Sequence, residues 1–168
     1  MNGSLQQAYD FLDESNAVYE LLSSLSDKEF DQSTQFKDWS FNDVIGHLHV
    51  WNYAADISLS DGEDWIDFSN KALKALGSGS TMNQFERTIT NNIKGKELLE
   101  VWKNYFTEMS DRFASADPKK RVKWMGPDMS VRSLRNIPNQ LNKLFLSSKR
   151  NLQDINLDDK ACFQAQFQ

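Results

Sequence analysis

Apolar residues recur at three- and four-residue steps over several long stretches of the chain, the spacing that lines one face of an α-helix. Leu5, Tyr9, Leu12, Val18, Leu21, Leu22 and Leu25 trace the first stripe and predict a helix from Leu5 to Leu25. Ser26-Asp27-Lys28-Glu29 has the form of a capping box, a serine with a glutamate three residues on, and predicts a short helical turn after it. Ser40-Phe41-Asn42-Asp43 is a second start signal of this kind, and the run to about Ser58 contains no proline and only Gly46 as an internal breaker. After a break at Ser60-Asp61-Gly62, Glu63 to Ala75 reads as a shorter helix closed by Gly77-Ser78-Gly79-Ser80, and Met82 to Asn91 as another. Leu98, Leu99, Val101, Trp102, Phe106, Met109 and Phe113 predict a long amphipathic helix from Lys96 to Phe113.

Pro118, Gly126 and Pro127 make Asp117 to Met129 an irregular connection, with room for a short extended stretch at Arg121–Trp124. A last helix is predicted to start near Asn136-Ile137-Pro138, with proline tolerated in the first turn, and to carry Ile137, Leu141, Leu144, Phe145, Leu152 and Ile155 on one stripe. There is no internal repeat, no heptad run and no convincing hairpin signal. The expected fold is all-α, an antiparallel four-helix bundle with additional short helices.

Composition narrows the function classes. A chain of 168 residues suits one domain, with 1–134 giving the first three bundle helices and the connection and 135–168 the last helix and tail. A net charge of -5 and a pI near 5.0 argue against nucleic acid as a partner, and Lys119-Lys120-Arg121 beside Pro118 reads as a solvated turn. The single cysteine, Cys162, excludes an internal disulfide and a cysteine-rich zinc cluster, and fits a reducing compartment. No basic segment leads into an apolar core at the N-terminus, and no window approaches eighteen apolar residues; the expectation is a cytoplasmic protein without a membrane partner. Nucleophile elbows, phosphate-binding glycine loops, dinucleotide fingerprints and zincin motifs are absent from the sequence.

Both histidines of the chain, His47 and His49, fall within FKDWSFNDVIGHLHVWN, residues 36–52. On one helix they stand about 200° apart and cannot share an ion. If the buried face centres on Phe41, Ile45, Leu48 and Ala55, each histidine lies about 100° from that centre on opposite flanks. Periodicity alone leaves both readings open for each: a flank residue bonded to backbone or an acid, or a metal ligand. Trp39, Trp51, Trp102 and Trp124 are open in the same way, as core or as the lining of a pocket.

The order Phe36-Lys37-Asp38-Trp39-Ser40, then Asp43, then His47-Leu48, resembles the signature of the DinB-like superfamily, in which a tryptophan-serine helix start is followed by an acid and a His-Leu pair. It is most similar to the metal-binding domain of mycothiol-dependent maleylpyruvate isomerases and their uncharacterised bacterial relatives. Val122 to Ser133, VKWMGPDMSVRS, resembles the connection that leads into the last bundle helix of those relatives. The resemblance covers about residues 5 to 134. It implies a four-helix bundle holding one divalent ion, zinc with nickel as the alternative, with His47 as a ligand and His49 not. It also implies a low-molecular-weight thiol and a small organic substrate as partners, in transferase or isomerase chemistry; a homodimer is compatible with it. The remaining ligands, an acid or histidine and a histidine four residues on, belong on the last helix, where i and i+4 converge on one face.

In this chain those positions fall near Leu141 and Phe145, and no histidine follows His49. The composition shifts at the same point: residues 135–168 hold ten Asn and Gln in 34 positions, against fourteen in the first 134, and no Glu, Gly, Trp or Tyr. Two readings follow, a replaced tail such as a frameshift leaves, or a divergent last helix that kept its apolar stripe and lost its ligands; the helical period favours the second. Asp43, Asp56 and Glu97 are the substitute donors, each competing with an ordinary role as a cap or a solvated charge. The alternative to a metal-dependent domain is a non-catalytic bundle acting as a small-molecule binding or interaction module.

Overall fold

The computed structural model describes residues 3–34, 38–60 and 62–137. The predicted stripe positions Leu141, Leu144, Phe145, Leu152 and Ile155, and Cys162, lie outside the described residues. In chain order the elements are α1 (Gly3–Ser23), a 3-10 turn (Glu29–Asp31), α2 (Phe41–Ser58), α3 (Glu63–Gly77), α4 (Met82–Ile89), α5 (Gly95–Ser115), β1 (Arg121–Val122), β2 (Met129–Ser130) and α6 (131–137). The architecture is all-α, as the periodicity predicts. None of the described helices is long and apolar enough to cross a membrane.

The start signals work through their side chains. Ser40 Oγ accepts from the Asp43 backbone N–H at 3.2 Å and Asp43 Oδ2 accepts from the Ser40 backbone N–H at 3.0 Å, so each satisfies a donor the helix leaves open. Thr81 and Gln84 form a second capping box at the head of α4. At Ser26 only half of the pattern forms: Glu29 accepts from the Ser26 N–H and hydroxyl, and the turn that follows is 3-10. Gly95 opens α5 at φ +60°, a conformation that costs glycine nothing, and its N–H donates to Asn42 Oδ1 at 2.7 Å.

α1 and α2 both pack against α5. The buried row of α1 is Ala8, Phe11, Ser15, Val18 and Leu22, in alternating three- and four-residue steps, with Leu25 just beyond the helix. Tyr9, predicted on that face, stands half exposed on its flank. The row meets Leu98, Leu99, Trp102, Phe106, Met109 and Phe113 of α5 and Phe41, Ile45, Leu48 and Ala55 of α2 in the main core. A second core forms where Val50, Trp51 and Ala54 of α2 meet Trp65, Phe68 and Ala72 of α3 and Phe85 of α4. α2 therefore serves both cores.

The connection after α5 differs from expectation in two ways. It contains a hairpin, with Arg121 paired to Ser130 and Val122 to Met129, whose two-residue strands are too short to show alternation in sequence. The next helix also starts at residue 131 and not near Asn136: Ser130 Oγ accepts from the Ser133 N–H at 3.2 Å, a serine cap inside the MSVRS segment. Val131, Leu134 and Ile137 then face the main core. Arg135, 2% exposed, donates to the Phe113 and Ala116 carbonyls at the end of α5.

Phe106 is fully buried and packs edge-on to Trp102 at 4.8 Å between centroids. Phe106→Ala is expected to lower unfolding free energy by roughly 3–5 kcal/mol. Leu73→Ala, at a side chain 61% exposed, is expected to change it by less than about 0.5 kcal/mol. Denaturant titration of both variants checks the assignment of core and surface.

Candidate functional site

Because α2 contacts neighbours on several sides, its polar residues divide by face. Asp43, His47 and Trp51 follow one another at four-residue steps, a stripe along one side of the helix. All three meet α4. Arg87 Nε and Nη2 reach Asp43 Oδ1 at 2.8 and 2.7 Å. His47 Nδ1 lies 2.5 Å from Glu86 Oε1, and Trp51 Nε1–H donates to the same oxygen at 2.7 Å.

The Glu86 contact is buried, with His47 4% and Glu86 2% exposed. An indole nitrogen can only donate, so Oε1 acts as an acceptor toward Trp51, and the same carboxylate oxygen reads as the acceptor of a proton on His47 Nδ1. In a neutral ring that leaves the lone pair on Nε2. The Trp39 ring meets the imidazole edge at 5.4 Å between centroids, and Trp51 adds a tilted contact at 6.1 Å. His47 thus sits among aromatic rings on a carboxylate anchor.

A small hollow lies beside this stripe, bounded by Gly46, Asn83, Glu86, Arg87, Thr90 and Lys94 among others. Its volume of about 20 Å³ suits a water molecule and is too small for an organic substrate.

The opposite flank of α2 holds the second histidine. His49 meets the Tyr105 ring edge-on at 5.4 Å, and burial pushes its pKa down to about 4. Nearby, Asp56 accepts from Tyr105 Oη at 2.8 Å and from Arg112 Nε and Nη2 at 2.9 and 2.8 Å. Burial, then the bond to Asp56, raises the Tyr105 pKa, and Asp56 raises that of Arg112. This cluster ties α2 to α5.

The substitute donors are thereby accounted for. Asp43 is occupied by Ser40 and Arg87, Asp56 by Tyr105 and Arg112, and Glu97 is an exposed acid in the first turn of α5. None joins His47, and no group of three His, Cys, Asp or Glu that could hold a metal ion occurs among the described residues. The tryptophans are mainly structural: Trp102 is fully buried in the main core, and Trp124 stacks on Trp65 at 5.6 Å and 15°. Glu86 was not visible as a site residue in the sequence. Its only local signal is its place beside Phe85 in a short helix; the partner lies 39 residues away.

A sequence profile of the mycothiol maleylpyruvate isomerase N-terminal domain matches residues 11–139. No curated protein and no solved structure matches the chain.

Trp51→Phe keeps an aromatic ring and removes the indole donor on Glu86 Oε1. Leaving a buried carboxylate short of a donor is expected to cost about 1–3 kcal/mol of stability. Urea denaturation measures it, and an unchanged midpoint would count against the indole as a necessary partner of the acid.

Proposed function

The chain belongs to the mycothiol maleylpyruvate isomerase N-terminal domain family, a DinB-like family, and from that premise we propose that it is a metal-binding domain of thiol-dependent transferase or isomerase chemistry, with His47 as the imidazole ligand of a divalent ion, zinc or nickel. The observation that carries this reading is the bond from His47 Nδ1 to a buried carboxylate, the arrangement by which ligating histidines are commonly oriented. Bound there, a divalent cation would lower the pKa of a low-molecular-weight thiol and hold it as the thiolate.

The chain's own residues fit this role in part. His47 has the donor chemistry and the fixed ring. The aromatic walls from Trp39 and Trp51 limit water around it. The described residues do not supply the other ligands, and the sequence has no histidine after His49. Since one imidazole holds an ion weakly, no reaction step is assigned to this site. A second reading, a helical bundle without a competent metal centre that binds a small molecule or a partner, is favoured by that same lack of a three-donor group among the described residues.

Metal analysis of the purified protein separates the two. Near-stoichiometric zinc or nickel in the wild type, lost in His47→Ala, is the expected result of the first reading. Metal at background in wild-type protein prepared with both ions supplied would overturn it in favour of the second.

A further inference from the structure

Glu86 has no place in the family resemblance or in the proposed ligand set, yet it is the acid most deeply placed against His47. We infer that Glu86 is a positioning residue: its carboxylate, fixed by Trp51, selects the ring tautomer of His47 and so determines which imidazole nitrogen is available as a ligand. The inference deepens the proposed metal reading and rests on it for its functional meaning, while its structural content stands without an ion.

The geometry is specific. Glu86 Oε1 receives His47 Nδ1 at 2.5 Å and Trp51 Nε1 at 2.7 Å, both from residues one turn apart on α2. Two rigid rings on one helix fix the oxygen's position, because neither can swing away without rotating in a packed environment. α4 is held in register by its own capping box and by Arg87, the next residue, on Asp43. The acid is therefore anchored from its backbone as well as from its oxygen. An imidazole whose Nδ1–H is committed to such an acceptor carries its neutral-state lone pair on Nε2, since the partner of one ring nitrogen sets the state of the other.

The test is nitrogen-15 NMR of metal-free, histidine-labelled protein above pH 8, in which protonated and bare ring nitrogens are resolved; a His49→Phe background leaves one ring to assign. The wild-type site is expected to show Nδ1 protonated and Nε2 bare. Glu86→Leu is expected to shift the ring to the opposite tautomer or to a mixture. Glu86→Asp, which withdraws the oxygen by one methylene and keeps an acid on α4, should do the same if the leucine variant does not fold. Glu86→Gln, which retains an acceptor oxygen, should restore Nδ1–H. Titration with zinc alone is expected to weaken roughly 10–100-fold in the Leu or Asp variant. A bare Nδ1 in the wild type, or a tautomer indifferent to both variants, overturns the inference. Wild-type protein that binds no zinc overturns the metal reading instead, and the NMR result then decides the positioning role alone.

Discussion

A carboxylate at 2% exposure, with two ring nitrogens from α2 converging on one of its oxygens, constrains everything around it. Withdrawing a carboxylate from water costs several kcal/mol unless donors replace the lost hydration. Here the donors come from rings whose own positions depend on packing: Trp51 against Phe68 and Trp124, His47 against Trp39. Glu86 can be tolerated only while α4 stays docked on α2. Conversely, α4 has eight residues, too few to persist as an isolated helix, and is held there by Glu86, Arg87 and Phe85 together.

This arrangement gives α2 three working sides. Phe41, Ile45, Leu48 and Ala55 build the main core with α1 and α5; Asp43, His47 and Trp51 engage α4; His49 and Asp56 engage α5 through Tyr105 and Arg112. The two histidines differ accordingly. One is bound to an acid, and the other rests in a site that disfavours its charged form. A helix of one period, with no irregularity, separates chemistries that stand two residues apart in sequence.

Much of this was legible in advance. The capping box at Ser40 placed the start of α2, and the 3.6-residue period placed the long helices, because both are local signals. The two flanks for His47 and His49 followed from helix geometry and the core-facing quartet. The hairpin was hidden by its length, since two-residue strands offer no alternation to detect. Pro138 points to a helix start near Asn136, whereas Ser130 supplies the cap and α6 starts at residue 131. Glu86 was invisible for a different reason: an acid in a short amphipathic segment reads as solvated until the tertiary fold brings two donors to it. Tyr9 shows the converse, an aromatic residue on the edge of a stripe that the actual packing leaves half in water.

The stacked pair Trp65 and Trp124 joins α3 to the segment that leads into α6, with the indoles 5.6 Å apart and 15° from parallel. Two chromophores so close and so aligned couple their excited states, and Trp51 lies within 6.0 Å of the same Trp124 ring. The near-ultraviolet circular dichroism of this protein should therefore carry a contribution that depends on the seating of one loop side chain. That makes the attachment of the hairpin to the second core an optical property of the molecule, readable without a label.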